Sequence, residues 1–131
     1  FVDTLRAASV PLPDHRIVRS DFDVSGGVVA ARTLLDRGGR PPRAIFAVSD
    51  TIAIGVLGVA RDLGLTVPDD LAIVGYNDIP VVAQLPVPLT TVRSPAHEIG
   101  MTAVRALLEL VRGGDTASVR LPVELVVRAS S

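Results

Sequence analysis

The sequence feature that most constrains the fold is Ala44–Val48, a wholly apolar run of strand length that precedes the polar pair Ser49 and Asp50. A strand that is buried on both faces has this composition, because helices cover both sides of a parallel sheet. Apolar residues then recur at helical spacing over Thr51–Leu63, and a second apolar run follows at Leu71–Val74. This alternation predicts an α/β fold, a parallel sheet with flanking helices.

Weaker patterns predict the remaining elements from apolar spacing and turn residues. The expected helices are Phe1–Ala8, Gly26–Asp36 and Ser94–Arg112, and the further strands are His15–Arg19, Leu89–Arg93 and Val119–Val127. Gly38-Gly39 is expected to end the second helix. Ser94 is expected to cap the last helix, with Pro95 in its first position.

Composition and the N-terminus limit the classes of function. The chain has 131 residues, a formal net charge of −1 and no Cys. It therefore lacks the excess of cations that DNA binding needs, and it has no disulfide or thiolate metal site. No apolar run is long enough to span a bilayer, so no membrane partner is expected. Because the chain begins with Phe1 inside a helical pattern, we expect that an upstream segment has been removed, although a mature secreted chain could also begin without Met. The absence of Cys fits a cytoplasmic location.

No pattern of residues predicts catalysis. His15 and His97 lie far apart in sequence and have no Cys or carboxylate at the spacing of metal ligands. The glycine and serine motifs of phosphate-binding loops, dinucleotide sites and nucleophile elbows are missing. The chain is therefore not expected to be an enzyme, and no metal or other cofactor is expected.

Ligand-binding residues are expected at one edge of the sheet, because parallel α/β sheets bind ligands outside the carboxyl ends of their strands. This rule selects the loops Ser20–Asp23, Val48–Thr51 and Gly75–Asp78. Either Ser49 or Asp50 could cap the following helix, and Asp50 could instead accept hydrogen bonds from ligand hydroxyls. Phe22 could stack on a sugar face or a base, or it could pack inward. Asn77 and Asp78 could contact a ligand, or they could simply form a turn.

Several motifs in order resemble the effector domain of LacI/GalR-type transcriptional regulators. They are Ala44–Gly55 (AIFAVSDTIAIG), Asp62–Pro80 (DLGLTVPDDLAIVGYNDIP), Pro88–Arg93 (PLTTVR) and the tail Leu121–Arg128 (LPVELVVR). The resemblance implies that residues 1–131 are the C-terminal part of a type I periplasmic-binding-protein-like domain. The DNA-binding helix-turn-helix and most of the first lobe would lie outside this chain.

The resemblance also implies a set of site residues. In the family, an aromatic residue at the position of Phe22 stacks on the effector, with Asp21 beside it as a weaker candidate. The strand-end pair at Ser49 and Asp50 hydrogen-bonds the effector. Asn77 stands where many members have Asp, and an amide can donate as well as accept, so the hydrogen-bonding pattern there departs from the usual one.

The partners implied are a small-molecule effector of carbohydrate type, a second copy in a homodimer, and DNA only through the missing segment. Thr51–Leu63 and Ile79–Leu85 resemble the dimer contacts of the family, although their apolar residues could equally be core.

The resemblance also implies that helix Ser94–Arg112 belongs to the first lobe, so the segments that this helix packs against in the family would be missing from this chain. Its apolar residues would then be exposed or covered by another copy, so self-association is expected. The face in question consists of Ile99, Ala103, Leu107 and Val111.

Two other classes of protein stay open. A secreted sugar-binding protein of a transport system has the same fold, so the fold cannot separate it from a regulator. A small α/β enzyme is the third class, but the sequence shows no site for it. The runs around Val67–Asp70, Gly75–Asp78 and Pro88–Val92 favour the regulator.

Overall fold

The computed structural model describes residues 1–36 and 41–131 as a mixed α/β fold, as the apolar runs predict. In chain order, the helices and strands are α1 (Val2–Ala7), α2 (Val24–Leu35), β1 (Ala44–Phe46), α3 (Asp50–Asp62), β2 (Ala72–Asn77), β3 (Thr90–Arg93), α4 (Ala96–Val111) and β4 (Glu124–Val126). Short 3₁₀ turns are formed by Asp14–Arg16 and Pro80–Ala83.

The described strands form one sheet in the order β1-β2-β3-β4. β2 pairs in parallel with β1 and with β3, with Val74 opposite both Phe46 and Thr90. β4 pairs antiparallel with β3 and places Glu124 opposite Arg93. The carboxyl ends of β1, β2 and β3 therefore point to the same edge of the sheet, which is the edge where ligand-binding residues are expected.

The core lies between this sheet and the helix pair α2 and α3. Its fully or nearly fully buried members come mainly from α3, β1 and β2, including Ile52, Ala53, Val56, Val59, Ala60, Ile45, Ile73, Leu71, Val82 and Leu89. The apolar face of α3 is thus covered within this chain. The core role of that face is confirmed, while its role in a dimer stays a prediction.

α2 and α3 pack against each other with very little space between their backbones. A Cβ at Gly27 would collide with the backbone of Ile52, and a Cβ at Gly55 would collide with the backbone of Val24 and Val28. Glycine at these two positions lets the helices approach to backbone contact. Because this contact is made in the first turns of α2 and in the first half of α3, the N-termini of the two helices lie side by side.

The segment that follows β4 is anchored inside the sheet. The Ser130 side chain has no exposed surface, and its Oγ donates to the carbonyl of Ile73 at 2.6 Å and accepts from the amide of Thr90 at 2.8 Å. The Ile73 amide donates in turn to the Ser130 carbonyl at 2.7 Å. β2 and β3 are therefore joined at their N-terminal ends by residues that follow β4.

Three predicted local features are wrong. His15–Arg19 is not a strand: Asp14–Arg16 forms a 3₁₀ turn, while Ile17 and Val18 line an apolar cavity of about 630 Å³ beside β1 instead of pairing with a strand. The predicted strand Val119–Val127 is reduced to β4, since only these three residues pair with β3.

The third wrong feature is the cap of α4. Pro95 occupies the N-cap position and no side chain caps this helix. The backbone carbonyl of Ser94 accepts a hydrogen bond from the amide of Ala96, but the Ser94 side chain does not cap the helix. The predicted end of α2 at Gly38-Gly39 falls outside the described residues.

α4 is the most exposed helix of the described chain. All of its residues are at least partly exposed, and Ile99, Leu107 and Val111 keep 48%, 59% and 75% of their surface. The expectation that this apolar face lacks cover within the chain is therefore confirmed. Among residues 1–36 and 41–131, no helix combines the length and apolar character needed to cross a membrane.

Candidate functional site

The aromatic candidate, Phe22, lies in the loop that leads into α2. Its side chain is 73% exposed, so the alternative that it packs inward is wrong. The next residue, Asp23, caps α2 by accepting a hydrogen bond from the amide of Gly26 at 2.6 Å. The backbone of Asp21 packs so closely on Gly26 that no side chain would fit there, while its carboxylate is exposed. The loop backbone is thus fixed on both sides of an exposed ring.

Ser49 lies at the other helix start, between β1 and α3. Its Oγ accepts from the amide of Ile52 at 3.3 Å and shares a hydrogen bond with the Thr51 hydroxyl at 2.8 Å. The sequence allowed either Ser49 or Asp50 as the cap, and the structure assigns the cap to Ser49. Only 4% of Ser49 is exposed, so its hydroxyl is engaged in local structure.

Asp50 is the most deeply placed of the candidates, with no exposed surface. Its Oδ1 accepts from the Thr91 hydroxyl on β3 at 2.6 Å, and its Oδ2 accepts from the amide of Ile79 at 2.9 Å. The carboxylate therefore ties the start of α3 to β3 and to the loop after β2. Because Asp50 has no exposed surface, a ligand could reach it directly only if the residues that cover it moved.

Gly75 makes room for the Asp50 carboxylate. A Cβ at this position in β2 would collide with Oδ1 of Asp50 and would crowd the side chain of Leu89. The sequence pattern places Gly75 at the end of an apolar run and gives no sign of this contact. Position 75 requires glycine, because any side chain there would displace the Asp50 carboxylate that packs against it.

Asn77 is the last residue of β2, and Asp78 follows it. Both have a positive φ, of 112° for Asn77 and 58° for Asp78, in the left-handed region that few residues other than glycine adopt readily. Asn77 is exposed, whereas Asp78 keeps only 9% of its side chain exposed. This backbone conformation leaves Asn77 exposed to solvent and places the Asp78 carboxylate against the arginines of the sheet.

Two arginines bind the Asp78 carboxylate. Arg128 donates to Oδ1 and Arg93 donates to Oδ2, each at 2.7 Å. Arg128 also donates to the carbonyl of Leu89 at 2.8 Å, and Arg93 also pairs with Glu124 at 3.0 Å. Burial raises the pKa of Asp78, but hydrogen bonds and charge from Arg128 and Arg93 outweigh it and hold the pKa below its ordinary value.

The structure thus places the sequence-predicted residues at one end of the sheet, but with different exposure. Asp21, Phe22 and Asn77 are exposed, whereas Ser49 and Asp50 are buried in hydrogen bonds that hold this end together. None of the five lines the cavity beside β1 or a second cavity of about 460 Å³ between α4 and the segment before β4.

Sequence reasoning missed the residues that support the site from other strands. Thr91 on β3 and the two arginines that bind Asp78 lie 15 to 50 residues away in sequence from the groups they hold. One signal was available: Arg93 and Arg128 each end an apolar, strand-like run, which is where a charged partner for a strand-end carboxylate can be expected.

Comparison with known proteins adds family evidence to this geometry. The family described as "Periplasmic binding protein-like domain" matches residues 1–131. The chain is 40% identical over 112 residues to the ribose operon repressor of Haemophilus influenzae, which covers 86% of this chain and 33% of that protein. It is 36% identical over 133 residues to the HTH-type transcriptional repressor CytR of Escherichia coli, which covers 100% of this chain and 39% of that protein.

A solved structure supports the same assignment. The transcriptional regulator CelR in complex with cellobiose superposes with a TM-score of 0.89 and 36% identity, over 98% of this chain and 40% of that one. The chain therefore spans between a third and two-fifths of the length of these relatives. The match along all 131 residues, the repressor relatives and the shared fold together show that this chain belongs to the LacI family of transcriptional regulators, in its periplasmic-binding-protein-like effector domain.

Proposed function

We propose that this chain senses a small-molecule effector, of carbohydrate type, for a cytoplasmic homodimeric transcriptional regulator. The observation that carries the proposal is the pair of exposed side chains, Phe22 and Asn77, at the carboxyl-end edge of a parallel sheet. Ligands of such sheets bind at this edge. The role is one of binding, so it needs neither a catalytic residue nor a cofactor.

The chemistry of the two side chains suits a neutral sugar. An exposed aromatic ring offers an apolar face to the C–H side of a sugar ring, while an amide both donates to and accepts from hydroxyls. The exposed carboxylate of Asp21, beside Phe22, adds acceptors. We assign Ser49 and Asp50 a supporting part, since their side chains are buried and hold the end of β1 and the loop after β2. The structural neighbour CelR was solved with cellobiose, which supports the choice of a carbohydrate.

The proposed control of transcription is allosteric. An effector held between this lobe and another part of the full-length protein stabilises one arrangement of the dimer, and DNA binding by a helix-turn-helix elsewhere in the protein changes with it. Such a ligand shifts the balance only by its difference in affinity for the two arrangements. The edge described here supplies one wall of that site, so the chain alone should bind far more weakly than the full-length protein.

The test is calorimetric titration of the full-length protein with a panel of neutral sugars that includes cellobiose and ribose. With the sugar that binds tightest, Phe22→Ala is expected to raise Kd about tenfold, because the ring loses its stacking contact. Leu63→Ala is the control, since Leu63 is 42% exposed and lies at the C-terminal end of α3, the opposite end of that helix from Ser49 and the binding edge. Failure of every sugar to bind, or equal Kd values for Phe22→Ala and wild type, would overturn the proposal.

A second measurement addresses the regulatory part of the proposal. Fluorescence anisotropy of a labelled operator fragment reports the affinity of the full-length protein for DNA with and without the sugar. The sugar is expected to change this affinity in the wild type, and a tenfold higher sugar concentration is expected to be needed in Phe22→Ala. A protein that binds sugar but never binds DNA would instead fit a sugar-binding protein of a transport system.

A further inference from the structure

The loop at the end of β2 has an unfavourable backbone conformation that must be stabilised by contacts with other residues. Asn77 and Asp78 are consecutive and both have a positive φ, which is unfavourable for side chains that carry a Cβ. Such conformations persist only where surrounding contacts fix them, and they cluster at functional sites. The position of the exposed Asn77 amide therefore depends on whatever restrains Asp78 and Ile79.

The restraint comes from two sides. On one side, each Asp78 oxygen accepts a charged hydrogen bond, from Arg128 to Oδ1 and from Arg93 to Oδ2. On the other side, the Ile79 amide donates to the buried carboxylate of Asp50. All three hydrogen bonds involve a carboxylate and are therefore charge-assisted, but the arginine side supplies two of them and the Asp50 side supplies one.

The two arginines are unequal. The Arg128 side chain is 17% exposed and also donates to the Leu89 carbonyl, so it bridges the Asp78 loop and the start of β3. The Arg93 side chain is 49% exposed and divides its contacts between Asp78 and Glu124. A more buried ion pair is screened less by solvent, so Arg128 is expected to restrain the loop more than Arg93 does.

We infer that Asp78 and Arg128, aided by Arg93, are positioning residues that hold the loop 77–79 in the conformation that presents Asn77 to the effector. This inference rests on the proposed function, since it needs an effector at this edge. In this assignment Asp78 does not bind the effector itself, because only 9% of its side chain is exposed and its two oxygens face the two arginines. The affinity for the effector is therefore set in part by a residue beyond β4 that does not touch it.

The test compares Arg128→Met, Arg128→Lys and Asn77→Gly with wild type in the full-length protein. Lysine keeps the charge but lacks the planar fork that reaches Asp78 and Leu89 together, so it serves as the milder variant if Arg128→Met folds poorly. Glycine removes the Asn77 amide and tolerates the positive φ. Arg61→Met is the matched control, because Arg61 makes an exposed ion pair with Asp62 on α3.

Two readouts are taken together: hydrogen exchange of the backbone amides of residues 77–79, and Kd for the tightest-binding sugar of the panel. In Arg128→Met we expect at least tenfold faster exchange at the Ile79 amide and an about tenfold higher Kd. Arg128→Lys should change both values in the same direction by less, and Arg61→Met should change neither. In the Asn77→Gly background, Arg128→Met should raise Kd no further, because its effect on affinity acts through Asn77.

The outcomes separate the inference from the function on which it rests. If Asn77→Gly weakens sugar binding but both Arg128 variants leave exchange and Kd within twofold of wild type, the inference is wrong and the proposed function stands. If Arg128→Met weakens binding equally with and without Asn77, a positioning role through Asn77 is excluded. If no sugar binds the wild type, the proposed function is overturned and the inference fails with it.

Discussion

At the scale of single residues, buried polar groups join segments that are far apart in sequence. Asp50 bonds to residues 29 and 41 positions away, and Ser130 bonds to residues 40 and 57 positions away. All buried side-chain nitrogen and oxygen atoms in the described part of the chain have a hydrogen-bond partner. Loss of either residue would leave its partners unsatisfied, at a cost of about 1–3 kcal/mol per buried group.

The ion pairs of Asp78 make stability depend on pH in the acid range. The pKa of Asp78 in the folded protein lies below its ordinary value of 3.8. Its contribution to the free energy of unfolding is therefore fully present above that value, and it is lost as the pH falls through the lower folded pKa. Urea unfolding of wild type and Asp78→Asn should show a stability difference at pH 6 that shrinks below pH 3.8.

Asp69→Asn is the control for this pH dependence, since it removes an exposed carboxylate from the turn that precedes β2, at the opposite end of this strand from Asp78. Its unfolding curves should stay close to those of wild type at pH 6. A stability difference between wild type and Asp78→Asn that grows as the pH falls would contradict the assignment, because the sign of the pKa shift would then be reversed.

The residues of the candidate site were predictable only in part. Ser49 could be predicted as a cap because capping depends on a residue and the three that follow it. The buried role of Asp50 could not, since its partners lie on β3 and in the loop after β2. The same holds for Arg128, whose partner Asp78 is 50 positions away.

At the scale of elements, the packing of α2 on α3 depends on glycines. Gly55→Ala is expected to lower the free energy of unfolding by about 1–3 kcal/mol, because a methyl group would push the backbones of the two helices apart. Gly58→Ala in the same helix has free space around its Cβ position and should raise stability by about 0.5–1 kcal/mol, through better helix propensity.

Thermal or urea unfolding of both variants measures this pair of effects. The two substitutions add the same methyl group to the same helix, so the difference between them isolates the interhelical contact. Equal stability of Gly55→Ala and Gly58→Ala would show that the helices can move apart without loss.

Elements with a strong local pattern were predicted well, and those that depend on a partner were not. β1 and α3 follow directly from an apolar run and a helical repeat, and the structure confirms both. Ile17 and Val18 have the composition of a strand, but a strand also needs a neighbour to hydrogen-bond with. Here these residues line a cavity, and no local pattern could have revealed that.

At the scale of the whole molecule, α4 carries seven exposed large apolar side chains, more than any other helix or strand of the described chain. Contiguous patches of this kind mark interaction sites or association between copies. We expect the 131-residue chain to sediment as species larger than a monomer as its concentration rises. Leu107→Lys with Val111→Lys should shift it towards the monomer, because both side chains are more than half exposed on this helix.

Val24→Lys with Val29→Lys is the control for the sedimentation experiment. Val24 and Val29 on α2 are 43% and 67% exposed, so their replacement adds the same two charges at exposed sites away from α4. A chain that stays monomeric at high concentration, or a control that disperses it as well as the α4 variants do, would contradict the role of this face.

The anchoring of β2 by Ser130 has a consequence for synthesis on the ribosome. The Ile73 carbonyl accepts its hydrogen bond from the hydroxyl of Ser130, which is encoded 57 codons later, so this bond cannot form until Ser130 has been synthesised. At a usual elongation speed this delay lasts roughly 3–11 s, a long time compared with the formation of a helix or hairpin. During that interval the residues of α2, β1 and α3 have been synthesised, but the hydrogen bonds of Ser130 that join β2 to β3 cannot form. It should therefore be most exposed to chaperones and proteases while residues 73–130 are being translated.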